Sequence, residues 1–135
     1  KTAAIAPIDQ IFASLLDITD ARTGVEDVSK VLLGVQFQSI AWKVDGNGKL
    51  LSGTPVYPDE ETLAKRLGQS GTVIGWSQDY QCPYIRYTDE NGDHWFAFYE
   101  NGDSLRAKCQ AAALLGITGV SYWRLGIIPA ERLGL

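Results

Sequence analysis

The chain has 135 residues, 45% hydrophobic and 21% charged, with a formal net charge of −4, which suits one domain with a modest core. That balance argues against a nucleic-acid surface, which needs clustered Lys and Arg, and no apolar run nears the roughly 20 residues of a bilayer span. Two cysteines, Cys82 and Cys109, are too few for a disulfide scaffold and share no metal-ligand spacing. Two buried free thiols are expected ahead of one disulfide. The start, KTAAIAPIDQ, has no long apolar core, and Met is absent even at position 1. This predicts a trimmed N-terminus or a piece of a longer protein rather than an intact signal peptide.

Residues 7–19, PIDQIFASLLDIT, predict a helix, with Pro7 in the first turn and Ile8, Ile11, Phe12, Leu15 and Leu16 along one face. A loop follows. Residues 30–37, KVLLGVQF, form a near-continuous apolar run and predict a strand buried on both faces, as in a parallel sheet. Gly34 interrupts it, as a glycine does where backbones approach closely. Past Trp42 the character changes: VDGNGKL is a turn. Residues 58–68 predict a helix with Asp59, Glu60 and Glu61 at its positive end, Lys65 and Arg66 at its negative end, and Gly68 as its stop. TVIGWSQD, PYIRYT and DHWFAFYE read as short strands, the last two flanking a DENG hairpin turn. Residues 103–115 predict a helix capped by Asp103 or Ser104, with Leu105, Cys109, Ala112 and Leu115 inward and Gly116 as its end. ITGVSYWRLG is the final strand. The outer parts read as α/β units with a parallel sheet, and the middle as an antiparallel insertion.

The residues that carry common chemistries are sparse. The one histidine, His94, sits beside a hairpin turn and reads as a surface or sheet-facing residue. One His and two distant Cys make no zinc site, and GTVIGW lacks the Lys and spacing of a phosphate loop. No metal or cofactor is expected. Asp89, Glu90, Asn91, Gly92 and Asp93 resemble half a calcium loop, but the Gly is misplaced and no bidentate Glu follows; a plain turn is expected. Paired carboxylates serve glycosidases, yet the acids here gather in turns and at helix starts. Glu100, ending a strand, is the suggestive one, and a helix cap or salt bridge explains it equally well. The aromatics remain. Trp42 and Trp123 stand apart from the others because each is expected at or just after the C-terminal end of a buried parallel-type strand, the edge where such sheets bind ligands.

Several segments together resemble glycoside hydrolase family 18, in the branch of spore-cortex and cell-wall peptidoglycan hydrolases. These are Pro83-Tyr84-Ile85-Arg86-Tyr87-Thr88-Asp89, Gly92, Phe98-Tyr99-Glu100, Ser104, Ala107-Lys108 and the close Gly119-Val120-Ser121-Tyr122-Trp123-Arg124-Leu125-Gly126. Upstream, Lys30-Val31-Leu32-Leu33-Gly34-Val35 and Trp42 match the family's corresponding strand and tryptophan. The similarity runs from about residue 7 to 129.

The resemblance implies an α/β fold that is the C-terminal third of a (β/α)8 TIM barrel with an inserted small α+β subdomain. Residues 30–38 would be the seventh strand and 118–124 the eighth. Segments 1–42 and 101–135 would belong to the barrel, with 43–100 as the insertion, all within one partial domain over 1–135. It also implies that Trp123, Tyr122 and Trp42 contact sugar, Trp123 as the floor beneath the ring at the cleavage site. The family's D-x-x-D-x-D-x-E motif and sixth-strand Tyr-Asp pair are absent from these residues, so no catalytic residue is assigned. The sequence further departs from the family at Gln36, at Gln38-Ser39 in place of Tyr-Gly, and at Asn101 in place of Asp.

Three functions follow as expectations: the C-terminal part of a glycosidase acting on N-acetylglucosamine-containing peptidoglycan or chitin; a non-catalytic carbohydrate-binding or interaction module derived from that barrel; or an isolated piece with no activity. The implied location is extracellular or cell wall. Two parallel strands cannot close a barrel, so Leu32, Leu33, Val35, Ile117 and Val120 need cover, from the missing N-terminal barrel part or from self-association. No nucleic-acid or membrane partner is expected.

Overall fold

The computed structural model describes residues 2–123, apart from the side chain of Trp123. Its elements are helix α1 (Ile8–Thr19), strands β1 (Leu32–Gln36) and β2 (Ile40–Val44), helix α2 (Glu60–Leu67), strands β3 (Val73–Ser77), β4 (Cys82–Thr88) and β5 (His94–Phe98), helix α3 (Gly102–Leu114) and strand β6 (Gly119–Trp123). They form two sheets. β1 and β6 pair in parallel, and β2, β5, β4 and β3 lie in that order in an antiparallel sheet. The whole antiparallel sheet is thus strung between two strands that are neighbours in space.

The parallel pair is covered on one face. Leu33 and Val35 of β1 pack with Phe37, with Leu15 of α1, and with Ala112 and Ile117 at the end of α3. On the other face of β1, Leu32 is 60% exposed and Gly34 and Gln36 are open. Burial on both faces, expected from the apolar run, is therefore corrected. Within the described residues the helices lie on one side, so the strand alternates as a half-covered strand does. Leu16 of α1 likewise faces outward, since a helix resting on a single layer buries a narrow stripe. Gly34 has open space where a Cβ would stand. The close approach is at Gly119, where a Cβ would stand 2.3 Å from the tip of the Leu32 side chain directly opposite.

The antiparallel sheet has a core on each side. Leu63 of α2, 1% exposed, packs on Ala41, Ile85, Tyr87, Ala97 and Tyr99; burying such a side chain is worth about 1.5–3 kcal/mol. The opposite face carries Ile40, Cys82 and Phe98, packed with Ala4. Period-two alternation along β4 and β5 makes both cores from one sheet.

The helix ends follow local chemistry. Asp59 caps α2 by accepting from Thr62 N–H at 2.8 Å. The N-cap of α3 is Asn101, one turn-start earlier than the expected Asp103 or Ser104. Its side chain accepts from Asp103 and Ser104 N–H, and the Ser104 hydroxyl returns the bond by accepting from Asn101 N–H at 2.8 Å. At the other end Gly116 takes φ +81°, while Gly116 and Ile117 donate to the carbonyls of Ala113 and Ala112. That is a Schellman close, and it sends the chain into β6.

Candidate functional site

The C-terminal ends of β1 and β6 lie side by side, with Gln36 opposite Trp123 and Val35 opposite Tyr122. Beyond β1 the chain runs through Phe37, Gln38 and Ser39. Gln36 Nε2 donates to Gln38 Oε1 at 2.7 Å. Ser39 is buried, and its hydroxyl has no partner among the described residues. Tyr122 shares the face of Leu33, Val35 and Phe37, its ring 6.3 Å from that of Phe37. The Trp123 side chain, like Arg124-Leu125-Gly126, lies outside the described residues.

Trp42 follows the C-terminal end of β1 in the chain but does not stand on the parallel pair. It stands in the middle of β2, opposite Phe96, in the antiparallel sheet. The 42/43 division between barrel segment and insertion therefore falls inside a strand of that sheet. The indole Nε1 of Trp42 donates to the Ala3 carbonyl at 3.0 Å, and the Tyr80 hydroxyl donates to the Thr2 carbonyl at 3.2 Å. These two bonds fasten the start of the chain across the sheet face. Tyr122 and Trp123 are thus adjacent on one strand, while Trp42 belongs to a separate sheet.

That sheet face is aromatic. Tyr84 and Phe96 stack with ring centroids 4.7 Å apart and planes at 22°, and Phe96 lies 5.0 Å from Phe98. Such ring pairs, one stacked and one tilted, fix ring orientation as well as burying area. Arg86, Thr88 and His94 continue the same face toward solvent. His94 is exposed, as the sequence implied, and its Nδ1 lies 3.0 Å from the Thr88 hydroxyl.

Glu100 meets Lys108. Both are buried, at 5% and 2% exposure, and they form an ion pair joining the chain just past β5 to the middle of α3. The helical spacing held the signal: Lys108 lies three residues after Leu105 and four before Ala112, on the inward stripe, where a Lys requires a buried partner. Cys82 lies nearby. Burial first, and then the Glu100 charge, push its thiol up to about 12, so it stays protonated. The cysteines are free, Cys82 buried and Cys109 partly so.

The 89–93 segment is a hairpin turn. Asp89 Oδ1 accepts from Asn91 and Asp93 N–H, and its Oδ2 accepts from Trp95 Nε1 at 2.9 Å. The Trp95 bond leads the causes that hold this carboxyl below its usual range. Glu90 takes Lys65 at 2.6 Å and Arg66 at 2.9 Å, pinning α2 to the hairpin.

No family model matches the chain. It is 25% identical over 127 residues to the cortical fragment-lytic enzyme of Bacillus subtilis (strain 168), an alignment covering 92% of this chain and 27% of that protein. Among solved structures, the C-terminal domain of a putative chitinase from Desulfitobacterium hafniense DCB-2 superposes with a TM-score of 0.72 at 31% identity, over 98% of this chain and 39% of that one. The chain matches the C-terminal part of chitinase-like proteins of glycoside hydrolase family 18.

A family 18 N-acetylglucosaminidase from Paenibacillus barengoltzii agrees, with a TM-score of 0.62 and 27% identity over 83% of this chain and 33% of that one. The chain spans about a quarter of the length of the cortical fragment-lytic enzymes that it matches. Its fold is a mixed α/β arrangement shared with the C-terminal part of these family 18 proteins. Among the described residues, no helix is long and apolar enough to cross a membrane.

Proposed function

We propose that this chain is the C-terminal part of a family-18-type glycosidase acting on N-acetylglucosamine-containing polysaccharide, peptidoglycan or chitin, at a cell wall or spore cortex. The observation that carries this reading is the parallel β1–β6 pair with the antiparallel sheet strung between its strands, over a length matched almost whole by the putative chitinase domain. On this reading β1 and β6 are the last two strands of a (β/α)8 barrel. The antiparallel sheet, from β2 onward, is the inserted subdomain that walls a sugar groove.

The site residues divide by position. Trp123, in register with Gln36 at the ligand-binding edge of the parallel pair, is the platform for a sugar ring. The weakly positive C–H face of a sugar suits the negative face of an indole. Tyr122 braces Phe37 beside it, and Trp42 ties the N-terminal segment to the groove wall. The acid that protonates the leaving group comes from the remainder of the barrel, which also covers the open face of Leu32, Gly34 and Gln36. Without that remainder, the chain associates with itself through this face.

The parent reading frame tests the proposal. A D-x-x-D-x-D-x-E segment upstream of residue 1 is expected, with hydrolysis of cortex peptidoglycan or chitin oligomers lost when its Glu becomes Gln. A parent without that segment, inactive on both polymers, would overturn the glycosidase.

A further inference from the structure

Residues 2–5 cross the aromatic face of the antiparallel sheet before the chain enters α1. Ala4 is 8% exposed there, packed with Ile40, Cys82 and Phe98. Among the described residues, no backbone–backbone hydrogen bond joins residues 2–6 to either sheet. Side chains tie the crossing instead: the Trp42 indole donates to the Ala3 carbonyl and the Tyr80 hydroxyl to the Thr2 carbonyl. Both bonds are only partly buried, so water replaces them at a modest net cost when the crossing lifts. The sheet beneath is held quite differently, by continuous ladders and by the core around Leu63 on its other face. A segment with so few buried contacts opens locally, at a lower free energy than global unfolding.

The crossing also spans the junction of the two sheets. A seam there is lined by Ala4 and Ile5, by Cys82 and Phe98 of the antiparallel sheet, and by Gln38 just past β1. Gln38 in turn accepts from Gln36, the last residue of β1. From Pro7 the chain turns into α1, whose Leu15 packs on the parallel pair. Segment 2–19 therefore has its first part on one sheet and its second part on the other.

We propose that residues 2–5 are a latch between the two sheets that opens as a unit while both sheets stay folded. Its opening bares the slot of Ile40, Cys82 and Phe98 and frees the seam beside Gln38. The latch goes beyond the glycan reading and does not depend on it.

Cys82 reports the latch, because Ala4 packs over it and it is 1% exposed. The test alkylates native chains with iodoacetamide and reads the peptides by mass spectrometry. Tyr80→Phe removes one latch donor while keeping the ring that packs edge-on against Phe98. Ala4→Gln puts a larger polar group at the buried contact without adding charge beside the thiol. Leu63→Ala weakens the core on the other face of the same sheet. While Cys109 reacts, the parent chain is expected to keep Cys82 unlabelled. Labelling of Cys82 should rise several-fold in Tyr80→Phe and by about tenfold or more in Ala4→Gln, with Cys109 unchanged. Leu63→Ala should lower the urea midpoint yet keep Cys82 as protected as in the parent, since latched and unlatched chains lose the same core contacts. Urea well below the midpoint should leave the Ala4→Gln rate unchanged, because opening a latch exposes little surface. Parent-level labelling in both latch variants would overturn the proposal. So would labelling that rises as much in Leu63→Ala as in Ala4→Gln, or that climbs steeply with urea, because Cys82 would then be reached only through global unfolding.

Discussion

The Lys108 ammonium is buried against the Glu100 carboxylate, eight residues back along the chain. This pair is where the antiparallel sheet hands the chain back to the parallel one: Glu100 follows β5, and Lys108 lies on the helix leading to β6. Two buried charges are tolerable only together, because each alone carries its full desolvation cost.

Removing one partner should therefore be much worse than removing both. Lys108→Met is expected to cost about 3–5 kcal/mol in urea denaturation, since it strands a buried carboxylate. Lys108→Met combined with Glu100→Leu should recover most of that loss. A single substitution that shifts the denaturation midpoint no more than a surface change does would show that the pair is not the buried unit described.

Glu90 gives the pH dependence. Hydrogen bonds from Arg66 and then Lys65 hold its carboxyl well below the usual range. A folded-state value below the unfolded one, about 4.3 for Glu, means stability that is present above the unfolded value and lost as pH falls through the folded one. The stability gap between the parent chain and Glu90→Gln should thus be full near neutrality and close in acid. Denaturation midpoints measured at a series of pH values check this; a gap independent of pH would contradict it. Glu90 and Lys65 are at the surface, so salt should narrow their part of the gap as well.

The two thiols should react in order. Cys109 is partly exposed, whereas Cys82 is buried and its thiol is held near 12. Iodoacetamide at mildly alkaline pH is expected to label Cys109 in the native chain and Cys82 only after denaturant is added. Mass spectrometry of the peptides reads this directly. Native labelling of Cys82 at a rate matching Cys109 would show that the aromatic face is open.

Much of this was legible in the residues. Aromatic and β-branched richness with turn chemistry located β3, β4, β5 and the 89–92 turn, and the acid-to-base gradient of residues 59–66 located α2. What stayed hidden depended on which surfaces meet. Leu32 and Leu33 look alike in sequence, but one faces open space and the other the helices. Trp42 lies a few residues past a parallel strand, yet a turn through Gln38 and Ser39 had already moved it to the other sheet. Asn101 displaced Asp103 and Ser104 as the cap because Ser104 serves it in return, a reciprocity that single-residue preferences do not contain. For the site, the sequence pointed to Tyr122 and Trp123 together, although neighbours on a strand alternate faces and Tyr122 lies with Phe37. The proximity of Arg86 and His94 is not legible along the chain, because it comes from strand register rather than from spacing.

The central claim, that the β1–β6 edge presents a sugar platform, is tested most directly by titrating the parent chain and Trp123→Ala with N-acetylglucosamine oligomers while circular dichroism monitors the fold. The account predicts that the substitution weakens binding by about tenfold or more, as truncating an aromatic anchor does, with the spectrum unchanged. Undiminished affinity in a folded Trp123→Ala chain would contradict it.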